Sequence, residues 1–126
     1  KAGFGYSVSF HIEGVKEARG TLLFSNYDTE FYLSNPIDGR MAFVRDGYLN
    51  TFDYYVEQGK SADIRIECTN VSTRLYVNGH LKDELKRAKR WISEKVSFDY
   101  VPTLNFPLEQ AGNFKSRITN LKVVKM

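Results

Sequence analysis

Apolar and polar residues alternate along much of this chain, which is the pattern of β-strands that have one buried and one solvated face. The alternation is clearest over 62–69, where polar residues at 63, 65, 67 and 69 alternate with the apolar-face positions Ala62, Ile64, Ile66 and Cys68. A second strand is predicted over 73–77, and the dipeptide Asn78-Gly79 follows it. Both residues tolerate the positive φ that a type I′ turn requires, so this stretch predicts an antiparallel hairpin.

The same alternation begins near the N-terminus and returns at the end of the chain. It predicts strands over 6–13, 21–25, 30–34, 40–45, 48–56, 95–100, 103–107 and 114–124. Asp38-Gly39 and Asp46-Gly47 are further turn signals between short strands, and regular spacing of this kind indicates an all-β sandwich or barrel. In the last strand the apolar phase slips between Ile118 and Leu121, which predicts a bulge or bend.

One segment departs from this rhythm. Leu81, Leu85, Ala88 and Ile92 fall near helical spacing, and charged residues fill most of the other positions. This pattern predicts a short surface helix near 82–92, with a long charged loop as the alternative. The basic run over 86–90 could contact phosphates, but the acidic residues around it favour a solvated face.

Length and charge indicate one ordinary globular domain. With 126 residues, the chain can bury roughly two-thirds of its unfolded surface, so we expect a single domain over 1–126. Because the chain opens with Lys1 and not with Met, we expect this domain to be excised from a longer, multidomain protein. A net charge of +3, from 18 basic and 15 acidic residues, does not indicate a nucleic-acid partner. The apolar runs fall short of the roughly 20 residues that a membrane helix needs.

The acidic residues and histidines do not form a sequence pattern that indicates a catalytic or metal-binding site. A glycosidase needs two carboxylates on opposite sides of a cleft, whereas Asp63 and Glu67 share one predicted strand face with Arg65 between them. Turn chemistry explains three other acids: Asp28, Asp38 and Asp46. His11 and His80 have no third ligand at zinc-like spacing. We therefore expect no catalytic role, no metal and no cofactor for this domain.

Two segments carry a family resemblance. Together with the order of strands, LYVNG at 75–79 and FKSRITNLKVVKM at 114–126 resemble the laminin-G or concanavalin A-like jelly-roll sandwich. More narrowly, the sequence over 103–123 is similar to the end of the C-terminal domain of some bacterial family 20 glycoside hydrolases, the β-N-acetylhexosaminidases. In the jelly-roll family a late strand returns beside the N-terminal one.

The resemblance implies a fold and a role. The fold would be an antiparallel two-sheet sandwich. The role would be that of a non-catalytic accessory domain in a secreted, periplasmic or cell-surface enzyme, with the catalytic domain of the same chain as its partner. An oligosaccharide containing N-acetylhexosamine would be the ligand.

Sugar binding by such a domain would depend on aromatic faces, because the C–H groups of a pyranose pack on phenol and indole rings. Strand phase could place Tyr32, Tyr55 and Tyr76 outward, and Trp91 lies beside Arg90 in the charged segment. Tyr32, Tyr55, Tyr76 and Trp91 are therefore the candidate ligand-binding residues. Alternatively, these rings form cross-strand pairs or cover a neighbouring domain, and the chain then stabilises the catalytic domain without binding sugar.

Overall fold

The computed structural model describes residues 5–13, 19–25, 29–45, 47–57, 59–100, 102, 109–110 and 117–125. These residues form twelve strands: β1 (Gly5–Glu13), β2 (Thr21–Ser25), β3 (Thr29–Ser34), β4 (Ala42–Arg45), β5 (Tyr48–Thr51), β6 (Ala62–Thr69), β7 (Ser72–Val77), β8 (His80–Lys86), β9 (Ala88–Trp91), β10 (Ser97–Tyr100), β11 (Glu109–Gln110) and β12 (Arg117–Lys125). The strand predicted over 103–107 lies outside the described residues. Within the described ranges, we find no helix that could span a membrane.

The strands form two antiparallel sheets and a separate hairpin. Sheet A has the order β12-β1-β6-β7-β8, sheet B has the order β11-β2-β3-β4-β5, and β9 pairs with β10. The two sheets pack face to face, since the rings of Phe10 in β1 and Phe24 in β2 lie 5.5 Å apart. The prediction of an all-β, antiparallel two-sheet sandwich is confirmed.

The core lies between the sheets and follows the alternation of the sequence. In β1, Val8, Phe10 and Ile12 are buried, and the intervening residues face outward. A continuous row of rings fills the space along sheet B, with centroids 6.0–6.4 Å apart: Phe24, Phe31, Phe43 and Phe52. Burial of each such side chain contributes about 1.5–3 kcal/mol, so these rings are a main source of stability.

The helix predicted near 82–92 is wrong, because that segment forms β8 and β9. Asn78 and Gly79 have φ values of 51° and 84°, so the chain reverses directly after β7 and β8 pairs with it. In this register Arg74 lies opposite Glu84, and its Nε is 2.9 Å from Glu84 Oε2. The ladder hydrogen bonds and this ion pair outweigh the helix propensity, which amounts to less than about 1 kcal/mol per residue.

The strand predicted over 48–56 ends early, since β5 stops at Thr51. The chain then bends back over Met41 and no longer follows the ladder of β4. The Phe52 N–H donates to the Met41 carbonyl at 2.9 Å, and the Met41 N–H donates to the Tyr54 carbonyl at 3.0 Å. Phe52 is thereby fully buried in the core.

The irregularity predicted in the last strand is confirmed. Thr119 and Lys122 of β12 pair with His11 and Ser9 of β1, so three steps along β12 face two steps along β1. The extra residue makes a β-bulge, and Asn120 adopts a φ of 56° in it. This bulge turns the Asn120 region towards the outer face of sheet A, where it lines a groove.

Candidate functional site

A groove of about 260 Å³ lies on the outer face of sheet A, and we call it the Tyr76 groove. It crosses four neighbouring strands, and its polar lining consists of Ser9, His11, Asp63, Arg65, Tyr76 and Asn120. Alternation explains why these side chains share a face. Since Phe10 and Ile64 point into the core, their chain neighbours point outward.

The aromatic part of the groove is a stacked pair. Ser9, Arg65 and Tyr76 lie side by side on β1, β6 and β7. The guanidinium carbon of Arg65 lies 3.9 Å from the ring centroid of Tyr76, which is a close cation–π contact. Arg65 also forms an ion pair with Glu67. These contacts fix the guanidinium and the ring as one ordered amphipathic surface.

The polar part of the groove is centred on His11. Its Nδ1 lies 2.6 Å from Asp63 Oδ1, and its Nε2 lies 3.6 Å from Glu13 Oε2. A Ser-His-Asp triad needs the nucleophile at the second ring nitrogen, but Glu13 lies there. This arrangement supplies hydrogen-bond partners for hydroxyl groups. Among the described residues, no group of three or more His, Cys, Asp or Glu side chains could hold a metal ion.

The described lining of the Tyr76 groove includes one of the four sequence-predicted site residues. Tyr76 lines the groove, whereas Tyr32 lies on the outer face of sheet B and so points in the opposite direction. The Tyr32 hydroxyl donates to Glu30 Oε1 at 3.0 Å, and burial of the phenol, followed by Glu30, raises the pKa of Tyr32. Tyr55, after β5, is 53% exposed, and Trp91, at the end of β9, is 62% exposed. Of the four, Tyr76 alone lines the Tyr76 groove.

A second cavity of about 380 Å³ lies where β5, β8 and the β9–β10 hairpin meet, and we call it the Arg90 cavity. Its lining includes Asn50, Lys86, Lys89, Arg90 and Tyr100. The guanidinium carbon of Arg90 lies 4.9 Å from the ring centroid of Tyr48 and 4.5 Å from that of Tyr100. Its Nη2 donates to Asn50 Oδ1 at 3.2 Å, so the guanidinium is held in one orientation.

Asn50 is the residue that orients this cluster. It is 5% exposed, and its Nδ2 donates to the Tyr48 carbonyl at 3.0 Å and to the Tyr100 hydroxyl at 2.8 Å. Its carbonyl oxygen is therefore directed to Arg90. Sequence reasoning missed this cluster, because Asn50 is separated from Tyr100 by 50 positions and from Arg90 by 40. The only sequence signal was the basic run that contains Arg90.

Comparisons with known proteins bear on the fold. No protein-family model matches the chain, and no curated protein matches it in sequence. Among solved structures, it is similar to domain 4 of AbnA, a GH43 extracellular arabinanase from Geobacillus stearothermophilus, in complex with arabinotriose, with a TM-score of 0.54 and 15% identity. The match covers 94% of this chain and 59% of that one, so this chain corresponds to little more than half of its neighbour. At this identity the likeness shows a common fold.

Proposed function

We propose that this chain is a non-catalytic, carbohydrate-binding accessory domain of a glycoside hydrolase, and that the Tyr76 groove is its sugar site. The observation that carries the proposal is the Arg65–Tyr76 pair beside the His11–Asp63 pair in one groove. The aromatic surface suits the C–H face of a sugar, and the imidazole and carboxylates suit its hydroxyl groups. Because the groove lies on an open sheet face, it suits a segment within a longer glycan.

The structural neighbour supports this proposal. It is a domain of an extracellular arabinanase, and its structure contains arabinotriose. In the present chain, binding of a glycan would hold a linked catalytic domain near its substrate. Tethering of this kind raises the local substrate concentration without a chemical step in the domain itself.

The resemblance over 103–123 supports a more specific form of the proposal. The parent enzyme would be a secreted bacterial β-N-acetylhexosaminidase, and the ligand would be an oligosaccharide of N-acetylhexosamine. The chain should then bind N-acetylglucosamine trisaccharide more tightly than arabinotriose. Tighter binding of arabinotriose would refute the hexosaminidase assignment and leave the carbohydrate-binding assignment in place.

Calorimetric titration of wild-type chain and a Tyr76→Ala variant with these two trisaccharides tests the groove. We expect Tyr76→Ala to weaken binding by at least about tenfold, or about 1.4 kcal/mol, because it removes the ring that lines the groove and holds the Arg65 guanidinium in place. Tyr32→Ala, which removes the same ring from the opposite face, is the matched control and should bind like wild type. Equal affinities of wild type and Tyr76→Ala would refute the groove as the sugar site.

One observation favours a second candidate, a domain that docks on the catalytic unit without contacting sugar. The tip of the β9–β10 hairpin exposes three apolar side chains: Trp91 at 62%, Ile92 at 71% and Val96 at 52%. Exposed apolar clusters mark interaction surfaces. If the folded chain binds none of the oligosaccharides at millimolar concentration, the docking role is favoured over sugar binding.

A further inference from the structure

We propose that the Arg90 cavity binds a carboxylate carried by a sugar, so that the glycan recognised by this domain contains uronic acid. The inference rests on the proposed function and deepens it by adding a second, charge-selective site to the Tyr76 groove. The first observation that supports the inference concerns the contacts of the Arg90 guanidinium. Whereas Arg40, Arg65 and Arg74 each form an ion pair with a carboxylate, Arg90 contacts two tyrosine rings and one amide within the described residues.

The charge of the cavity is the second support. Lys86, Lys89 and Arg90 line it, and Glu84 is the single acid in its described lining. Glu84 is already engaged, with Arg74 Nε at 2.9 Å and Lys86 Nζ at 3.9 Å from its carboxylate oxygens. The cavity therefore has an excess of positive charge.

The hairpin register separates Arg90 from its basic neighbour. Lys89 lies opposite Asp99, so a carboxylate is available to balance its charge across the hairpin. Arg90 lies opposite Phe98, which offers no charge. Of the two cations on β9, Arg90 is thus the one that has no counter-charge opposite it in the hairpin.

The geometry favours a carboxylate on a sugar over a bare anion. A guanidinium presents five N–H donors in a planar fork that matches a carboxylate, and Asn50 accepts one of the bonds. The cavity volume of about 380 Å³ lies within the typical range for small-molecule sites of about 300–1,000 Å³. Leu49, Leu85 and Pro102 add an apolar lining that suits the C–H groups of a pyranose.

The same geometry argues against nucleic acid as the ligand. Recognition of a phosphate backbone uses a row of cations along an open surface. In the basic run, Arg87 is directed away from the cavity. Its side-chain Nη2 donates to the Asn70 carbonyl at 3.4 Å, and its backbone N–H donates to the Val71 carbonyl. One oriented guanidinium in a cavity fits a single carboxylate better.

Titration with matched acidic and neutral oligosaccharides tests the inference. The probes are galacturonic acid trisaccharide, a glucuronic-acid-containing tetrasaccharide, the methyl esters of both, inorganic sulfate and a short single-stranded RNA. We expect at least one acid to bind wild type at least about tenfold more tightly than its ester, and Arg90→Gln to abolish that difference. Arg87→Gln, which removes the same charge outside the cavity, should leave the difference intact.

Two readouts make the outcome decisive. Nitrogen-15 NMR of the arginine side chains should show a shift of the Arg90 Nε–H signal with the acid. If Arg90→Gln fails to fold, Arg90→Lys replaces it. This variant keeps the charge but loses the planar fork, so it should bind the acidic oligosaccharide more weakly than wild type does. Equal binding of acid and ester, an unchanged preference in Arg90→Gln, or tighter binding of RNA or sulfate would overturn the inference.

These outcomes separate the inference from the proposed function. Binding of neutral trisaccharides that depends on Tyr76, without a preference for acids, would leave the proposed function in place and refute the Arg90 site. Acid binding that depends on Arg90, without any effect of Tyr76→Ala on neutral trisaccharides, would support the Arg90 site and refute the Tyr76 groove.

Discussion

Asn35 shows at the scale of one residue how a buried side chain fixes a loop. It is fully buried, and its Nδ2 donates to Asp38 Oδ1 at 2.7 Å and to the Arg40 carbonyl at 2.8 Å. Its Oδ1 accepts from the N–H groups of Ile37 and Asp38. Asp38 Oδ1 also accepts the Arg40 N–H, and this bond, followed by the one from Asn35, lowers the pKa of Asp38. The turn that Asp38-Gly39 predicts depends on these bonds.

We expect Asn35→Ala to destabilise the chain by about 1–3 kcal/mol, because the backbone groups that now bond to the buried Asn35 amide lose their hydrogen-bond partner. The free energy of unfolding in urea measures this loss. Ile37→Ala in the same turn is the control, since Ile37 is 71% exposed and such substitutions usually stay within about 0.5 kcal/mol. Equal losses in the two variants would contradict a structural role for the Asn35 side chain.

At this scale the sequence predicted the direction of a side chain better than its surroundings. Strand phase placed Tyr32 and Tyr76 outward, because Phe31, Leu33 and Leu75 alternate with them into the core. Phase does not reveal which outer face has a groove. That depends on the pairing of β1, β6 and β7, which brings Ser9, Arg65 and Tyr76 together from distant parts of the chain.

The β7–β8 hairpin is the element for which the residue pattern led to both a correct and a wrong prediction. Asn78-Gly79 predicted the turn, and the positive φ values of both residues confirm it. The helical spacing after the turn was misleading because β8 is an edge strand with mostly exposed or half-buried positions. A strand without a buried face need not alternate, and charged residues are common on such edges.

We expect Gly79→Ala to cost about 1–2 kcal/mol of stability, because its φ of 84° lies in the left-handed region, where a Cβ is penalised. Gly79→Asn, the matched variant, should cost less, since asparagine tolerates this region. Urea unfolding of both variants measures the difference. If Ala were tolerated as well as Asn, the backbone at position 79 would not be what sets the turn.

For the whole molecule, the alternating pattern was enough to predict an all-β sandwich or barrel, but the choice of a two-sheet sandwich and the pairing of distant strands came from the family resemblance. That resemblance implied a late strand returning beside the N-terminal one, and β12 does pair with β1. The hairpin signals describe neighbours in sequence. They carry no information on the pairing of β1 with β6, or on the contact between Phe10 and Phe24 that joins the sheets.

Cys68 offers a probe of the whole fold. It is 3% exposed and lies in β6, opposite Tyr6 of β1 and Thr73 of β7, so a thiol reagent can reach it only when sheet A opens. We expect slow labelling in native buffer that accelerates with denaturant. Phe31→Ala leaves a cavity that costs about 3–5 kcal/mol of stability, so this variant should be labelled faster than wild type. Rapid labelling of native wild type would contradict the tight packing described for the core.

The most direct test of the central claim is a map of amide chemical shifts in nitrogen-15-labelled wild-type chain during titration with N-acetylglucosamine trisaccharide and arabinotriose. The account predicts that at least one trisaccharide shifts the signals of Ser9, His11, Asp63, Arg65 and Tyr76 together, along a single saturable curve. Shifts confined to the outer face of sheet B around Tyr32, or unchanged spectra at millimolar trisaccharide, would contradict it.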